Sequence, residues 1–486
     1  MEPLVSKAVR ANTGTGSRLT WRELTPIGIG LCAAFIALAA TPMVKGCLGG
    51  VALLGILLCW IFRRPRRWVI CFLISAILLP PLPIAGLGNS GPHVALLFPL
   101  IGIFVGLVQA RRWRTLRKQP ALVLLCFTVI LFLSVGSALF YSGPVIAAGT
   151  FARAGLFAIA IYVFAFTVSL RDSPEWVTNF APWLFRAAVA AAVFACLDFY
   201  FQFPALGGFG EQFVWLDSGN IIRRAQGLFY ESSTLGNFCV FFLVMILAVF
   251  SAGENQRILS GLELTFGALV FALTIVLSYS RGSLVNLVIA SVAMIWVRRV
   301  KLRFIVVGLC AFAVVSALLY LFLPSFGQSY WLRIESSFLY VNSAPGRILS
   351  GRVSSWETIA QFLSQHTWQN VFGIGYTTLA YTTHLGEPVI ADNTYLELLV
   401  EIGVIGLCVF LWMNFVLLRT ALRAARDAKP AARLFGSWFF CFWIGELFQM
   451  MSGDLITYWR VLPIYLWVLA AAVIHCRVDR RLETPR

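Results

Sequence analysis

The sequence predicts an all-α, polytopic membrane protein of about fourteen transmembrane helices, each an apolar run of ~20 residues, the length that crosses a bilayer. Of its 486 residues, 59% are hydrophobic and only 12% are charged. A soluble chain of this length could not bury so much apolar side chain. The third observation is where the basic residues fall, since they orient the runs.

The first 25 residues carry Lys7, Arg10, Arg18 and Arg22. The apolar run after them lacks a small-residue cleavage site, so a tail leads into a retained first helix. Spans are expected at 26–44, 46–62, 68–87, 93–110, 120–142, 145–170 and 179–203 in an N-terminal bundle. A second group follows at 232–252, 260–280, 283–297, 304–324, 394–418, 434–452 and 455–475, inside a core of 204–475. Residues 476–486 form the C-terminal tail. The runs at 46–62 and 283–297 are the weakest of the set.

Basic residues cluster in alternate loops: Arg63 to Arg67, Arg111 to Lys118, Arg298 to Arg303, Arg419 to Arg433, and the tail from Arg477. The intervening short loops hold almost none, so both termini are expected on the cytoplasmic side of a bacterial inner membrane. The net charge of +17 is explained by this loop bias, and nucleic acid is not an expected partner. The eleven cysteines lie in or beside apolar segments without a CxxC pair and read as small core residues. Four scattered histidines show no metal-ligand spacing, so no metal and no cofactor are expected.

Two long segments, 204–231 and 325–393, then fall on the outer face. Their arginines occupy the side that basic residues avoid. Arg223, Arg224, Arg281, Arg333, Arg347 and Arg352 therefore need a reason, either solvated ion pairs or an anion site. Arg153, Arg186, Asp198, Glu446 and Arg460 are further ionisable residues in or near spans, and some are expected to pair between helices.

Ser354-x-x-Glu357 matches a capping box, and Trp356, Ile359, Ala360 and Leu363 recur at helical spacing behind it. An amphipathic helix of about three turns follows, on the membrane surface or on other helices. Arg352, just before its N-terminus, fits a phosphate subsite as well as a plain surface position. Gly373-Ile-Gly375 is a glycine turn without the setting of a nucleotide site. Asp392-Asn393-Thr394 fits a helix cap, and Thr394-x-x-Glu397 is a second capping-box match. Asn393, Glu397 and Glu401 share one helical face, which predicts a wet cavity entered from outside.

These motifs occur in a fixed order: Arg224-x-x-Gly227, Ser280-Arg281-Gly282, Gly351-Arg352, Gly373-Ile-Gly375, and Asp392-Asn393-x-Tyr395-Leu396 running into Glu401-x-Gly403-x-x-Gly406. As a set, with a long loop before the last three spans, they resemble the O-antigen ligase/polymerase superfamily across roughly 215–475. The resemblance implies a metal-independent, inverting glycosyl transfer from a polyprenyl-diphosphate-linked glycan. It maps the donor diphosphate to Arg224, Arg281 and Arg352. Guanidinium groups suit a leaving diphosphate, whose charge grows as the C1–O bond breaks.

The chain departs from the family at one point. Ligases carry a His-Asn pair where this sequence has Asp392-Asn393. Asp392 is the candidate base for the acceptor hydroxyl, and His384, eight residues upstream, is the alternative. Arg347, Asn393, Tyr395 and Glu401 complete the candidate substrate-binding set. The acidic variant points to a polymerase of O-antigen or exopolysaccharide, with an O-antigen ligase or a non-enzymatic flippase as alternatives. Membrane lipid, a chain-length regulator and a flippase are the further partners this reading implies.

Overall fold

In the computed structural model, the described residues are 42–80, 93–108, 120–170, 174–203, 213–215, 221–229, 231–252, 258–298, isolated positions between 317 and 335, 352–453 and 459–477. The chain forms two compact units, Met1–Pro65 and Arg66–Arg486. In the first unit, α1 (Pro42–Arg63) covers the expected span at 46–62. The expected span at 26–44 falls almost wholly outside the described residues, and that at 304–324 outside them apart from isolated positions.

The second unit is helical. Its N-terminal helices are α2 (Arg67–Leu78), α3 (Leu97–Val108), α4 (Ala121–Ser142), α5 (Pro144–Ser169) and α6 (Glu175–Phe201). After them come α7 (Ser232–Ala252), α8 (Gly261–Leu277) and α9 (Arg281–Arg298). The loop helices α10 (Arg352–Gln365) and α11 (Thr367–Phe372) precede α12 (Thr394–Ala425), α13 (Pro430–Gln449) and α14 (Leu462–Arg477). One element departs from the all-α expectation: Phe213–Trp215 and Ile221–Arg223 pair as a two-stranded antiparallel ribbon.

Seven helices among the described residues are long and apolar enough to cross a membrane, and five shorter apolar helices accompany them. The figure of about fourteen is therefore reached only in part. Arg67–Leu78 stops well short of the expected end at 87, whereas the weak run at 283–297 lies in an 18-residue helix. Composition marks where apolar runs lie, but helix ends depend on tertiary contacts.

Hydrogen bonds and ring contacts give the second unit two distinct ends. At one, Arg298 donates to Ser251 Oγ at 3.0 Å, Arg426 stacks on Trp296 at 5.0 Å, and Lys429 donates to the His475 carbonyl at 3.1 Å. At the other lie residues 223–229, the 352–393 loop and Arg460. The buried Arg460 guanidinium donates to the carbonyls of Ala76, Leu79 and Leu228, and so ties three segments together. Between the ends, Phe241, Trp438, Phe442 and Tyr465 pack as an aromatic core, with Trp438 Nε1 donating to the Phe241 carbonyl at 2.7 Å. Helices α4 and α5 pack on α12 and α14, so segments on both sides of residue 203 share this core.

The loop is seated by a break in α12. At Gly403 the backbone leaves the helix (φ 70°, ψ −179°). The carbonyls just before the break turn to the loop: Ile374 N donates to Val400 O at 3.0 Å and Gly375 N to Glu401 O at 2.8 Å. The approach is too close for a side chain on either strand of the contact. A Cβ on Gly373 would collide with the Glu401 carbonyl, and one on Gly403 with the Val371 carbonyl. Both glycines also hold positive φ, 76° and 70°, which side chains resist. Tyr376 N then donates to Ser134 Oγ at 3.1 Å, and Thr150 Oγ1 and Arg153 donate to the carbonyls of Tyr376 and Thr377. Arg153 also lies over the Tyr381 ring at 4.4 Å.

The loop helix differs from its sequence expectation. It begins at Arg352, so Ser354 lies inside the first turn and does not cap it. Its apolar face is Ile359 and Phe362, which join Ile374, Leu379, Val389, Ala391 and Val400 in a small core. Ala360, expected on that face, is exposed. The loop thus folds onto α12 as a compact body.

Gly403→Ala combines a positive φ with a backbone collision and is expected to cost at least about 1–3 kcal/mol. Gly261→Ala, at an open helix start, is the control. Thermal unfolding of both variants in detergent should show a clear fall for the first and none for the second.

Candidate functional site

The site grows from helix starts. Ser280 Oγ accepts from Ser283 N at 3.3 Å and caps α9, which makes Arg281 its first residue. Arg352 is the first residue of α10. Asn393 Oδ1 accepts from the N–H groups of Tyr395 and Leu396 at 3.1 and 3.2 Å and caps α12. Thr394, the other cap expected from its spacing to Glu397, instead donates to the Gly453 carbonyl at 2.7 Å. Glu231 precedes α7, and its carbonyl accepts from Leu235 N at 3.1 Å. Helix starts concentrate backbone N–H groups and partial positive charge.

Three arginines from distant parts of the sequence come within electrostatic reach of one another here. Arg224 is pinned by a hydrogen bond from Nε to the Ser278 carbonyl at 2.9 Å. Burial pushes its pKa down to about 10; Glu231 raises it, while Arg281 and Arg352 lower it further. The guanidinium stays charged at neutral pH, within a cluster whose members repel one another. The charge of Arg352 acts on Arg281 as well. Glu231 went unnoticed in the sequence; its only signal there is an acid between Arg224 and a helix start.

Asp392 joins this cluster through Arg352, with Nε to Oδ2 at 3.0 Å. The side chains are 24% and 44% exposed. A pair so open to solvent is worth roughly 0.2–1 kcal/mol. Asp392 has φ 47°, and Tyr279, two residues before Arg281, has φ 53°. Strained backbone of this kind gathers at functional sites.

The remaining candidates are placed differently. Tyr395 donates its hydroxyl to the Leu447 carbonyl at 2.7 Å and fastens α12 to α13. Glu401 is buried and accepts from the N–H groups of Thr377 and Leu379 at 2.7 and 3.1 Å. The carboxylate expected to line a wet cavity therefore meets loop amides. His384 bonds Gln369 at 2.9 Å and packs against Tyr141, Phe362 and His366. Burial, and then His366, hold its pKa below the ordinary histidine value. Phe362 is ten residues along α10 from Arg352, about 15 Å at 1.5 Å per residue, so His384 and Asp392 sit at opposite ends of the loop helix. Arg347 lies outside the described residues. Among the described residues no group of three or more His, Cys, Asp and Glu side chains could hold a metal.

Several ionisable residues whose partners sequence left open are structural. Arg223 pairs with Asp198 at 3.2 Å, Arg186 with Glu263 at 2.8 Å, and Glu446 accepts from Asn286 at 2.8 Å.

Residues 266–411 match the family model described as O-antigen ligase. Over that stretch the chain is similar to the O-antigen ligase/polymerase superfamily. The match spans most of α8, all of α9 to α11 and the first half of α12, so it includes Arg281, Arg352 and Asp392, while Arg224 lies ahead of it. The O-antigen ligase family consists of glycosyltransferase-like enzymes that act on lipid-linked glycans. No curated protein sequence matches the chain.

Glu401→Ala would strand the buried Leu379 N–H, at about 1–3 kcal/mol, and the half-buried Thr377 N–H at less. Its unfolding temperature should fall clearly, and that of Glu401→Gln, which keeps one acceptor oxygen, should fall less.

Proposed function

We propose that the protein polymerises oligosaccharide repeat units carried on a polyprenyl diphosphate, at the outer face of the inner membrane, with both termini cytoplasmic. The observation that carries this reading is the convergence of Arg224, Arg281 and Arg352 with the Asp392 carboxylate beside them. A diphosphate is the anion that such a cluster suits. It bears more than one negative charge, its oxygens match guanidinium geometry, and its charge rises as it leaves. A donor already on a diphosphate needs neither nucleotide nor metal for activation. The growing chain is the donor, and the non-reducing end of another lipid-linked unit is the acceptor. Asp392 takes the proton from the attacking hydroxyl, which displaces the diphosphate from the opposite face of C1 and inverts it.

The description of the matching family favours a second reading, transfer of a finished glycan to lipid A-core. Both readings use the same donor chemistry and differ in the acceptor. Purified protein incubated with a synthetic lipid-diphosphate repeat unit alone should build a ladder of longer products if it is a polymerase. A ligase should leave the unit unchanged until lipid A-core is added.

Arg281→Ala and Arg224→Ala are each expected to abolish long product while the protein still inserts. A charge-assisted contact to a leaving group is worth about 3 kcal/mol, or roughly a hundredfold in rate. Wild-type ladders from both variants would refute the assignment.

A further inference from the structure

We propose that Arg352 is exchanged between two partners: Asp392 in the free protein and the donor diphosphate in the complex. Donor binding would then release the carboxylate that activates the acceptor. The inference rests on the functional reading above and adds an order of events to it.

The conflict that motivates it is geometric. Arg352 and Asp392 have different tasks in the proposed reaction, yet the structure joins them at 3.0 Å. The Arg352 guanidinium occupies Oδ2 of Asp392, so that oxygen is not open to an acceptor hydroxyl. Arg352 also stands within reach of Arg224 and Arg281, which repel it. A diphosphate brings more negative charge than one carboxylate and can engage all three cations, so the exchange runs toward the ligand.

The surroundings allow that exchange without unfolding. The backbone on both sides of Asp392 is held independently of the ion pair. Trp356 Nε1 donates to the Ala391 carbonyl at 2.8 Å, and Asn393 caps α12. Helix α10 is seated by Ile359 and Phe362 in the loop core. Opening the pair therefore needs only side-chain rotation, in a region that solvent already reaches.

The chemical step balances within the named groups. The acceptor hydroxyl oxygen bonds to C1 of the donor sugar, and its proton passes to the freed Asp392 carboxylate. The bond from C1 to the phosphate oxygen breaks, and its electron pair leaves on the diphosphate. When the polyprenyl diphosphate departs, Asp392 loses the proton to water and Arg352 pairs with it again. Without a donor the base stays engaged, which guards against idle activation of acceptor.

The test is a double-mutant cycle on binding, using full-length protein in detergent and geranylgeranyl diphosphate as the probe. Asp392→Asn should bind the probe roughly two- to fivefold more tightly than wild type, the range set by an exposed ion pair. It should also transfer no sugar. Arg352→Gln should bind more weakly, and adding Asp392→Asn to it should change nothing further. Equal tightening in the Arg352→Gln background would overturn the proposal, since the aspartate would then act only through its charge at a distance. Unchanged or weaker binding by Asp392→Asn, at an unaltered unfolding temperature, would overturn it too. If wild type does not bind the probe at all, the functional reading itself fails, which separates the two.

Discussion

The contact between the glycine turn at Gly373 to Gly375 and the break in α12 at Gly403 governs the rest of this molecule. A membrane helix normally satisfies its own backbone. Here it is interrupted, and the carbonyls of Val400 and Glu401 accept from loop amides instead. The Glu401 side chain adds two more acceptors to the same turn. Polar groups that would be costly at the edge of a bilayer are thereby satisfied, and a water-facing loop gains a rigid footing. From that footing α10 and Asp392 take their positions.

The second organising feature is an accumulation of like charge. Three guanidinium groups and several helix starts raise the potential at one end of the bundle. Glu231 and Asp392 offset part of it, and the Ser278 carbonyl holds Arg224 in place. Such a site is complementary in charge to an anion. Rigid spans carry Arg281 and the caps, while the exposed Arg352–Asp392 pair is the soft part. Tyr395, Glu401 and Asn393 hold the frame beside the three arginines through their bonds to the Leu447 carbonyl, the loop amides and the start of α12.

Much of this was legible in the sequence where local rules apply. Apolar runs located α4, α5, α7, α13 and the start of α12 within a few residues, because length and hydropathy are local properties. Arginines on the sparsely basic side singled out Arg224, Arg281 and Arg352, since the charge bias of loops makes exceptions visible. Local rules failed where two cap signals competed. Asn393 won over Thr394, and α10 began two residues before its apparent cap. Both outcomes depend on what the neighbouring segment offers as a partner.

The sequence by itself determined that the chain is a membrane protein, where most of its helices run, and which cations lie where cations are scarce. Those facts follow from composition along a line. Only the tertiary structure decided what each polar residue meets. It turned Glu401 from a cavity wall into an anchor, moved His384 to the far end of the loop helix, and brought Arg352 onto Asp392. Such pairings join residues far apart in the chain, and spacing along it holds no record of them until the break at Gly403 brings the loop down onto the helix.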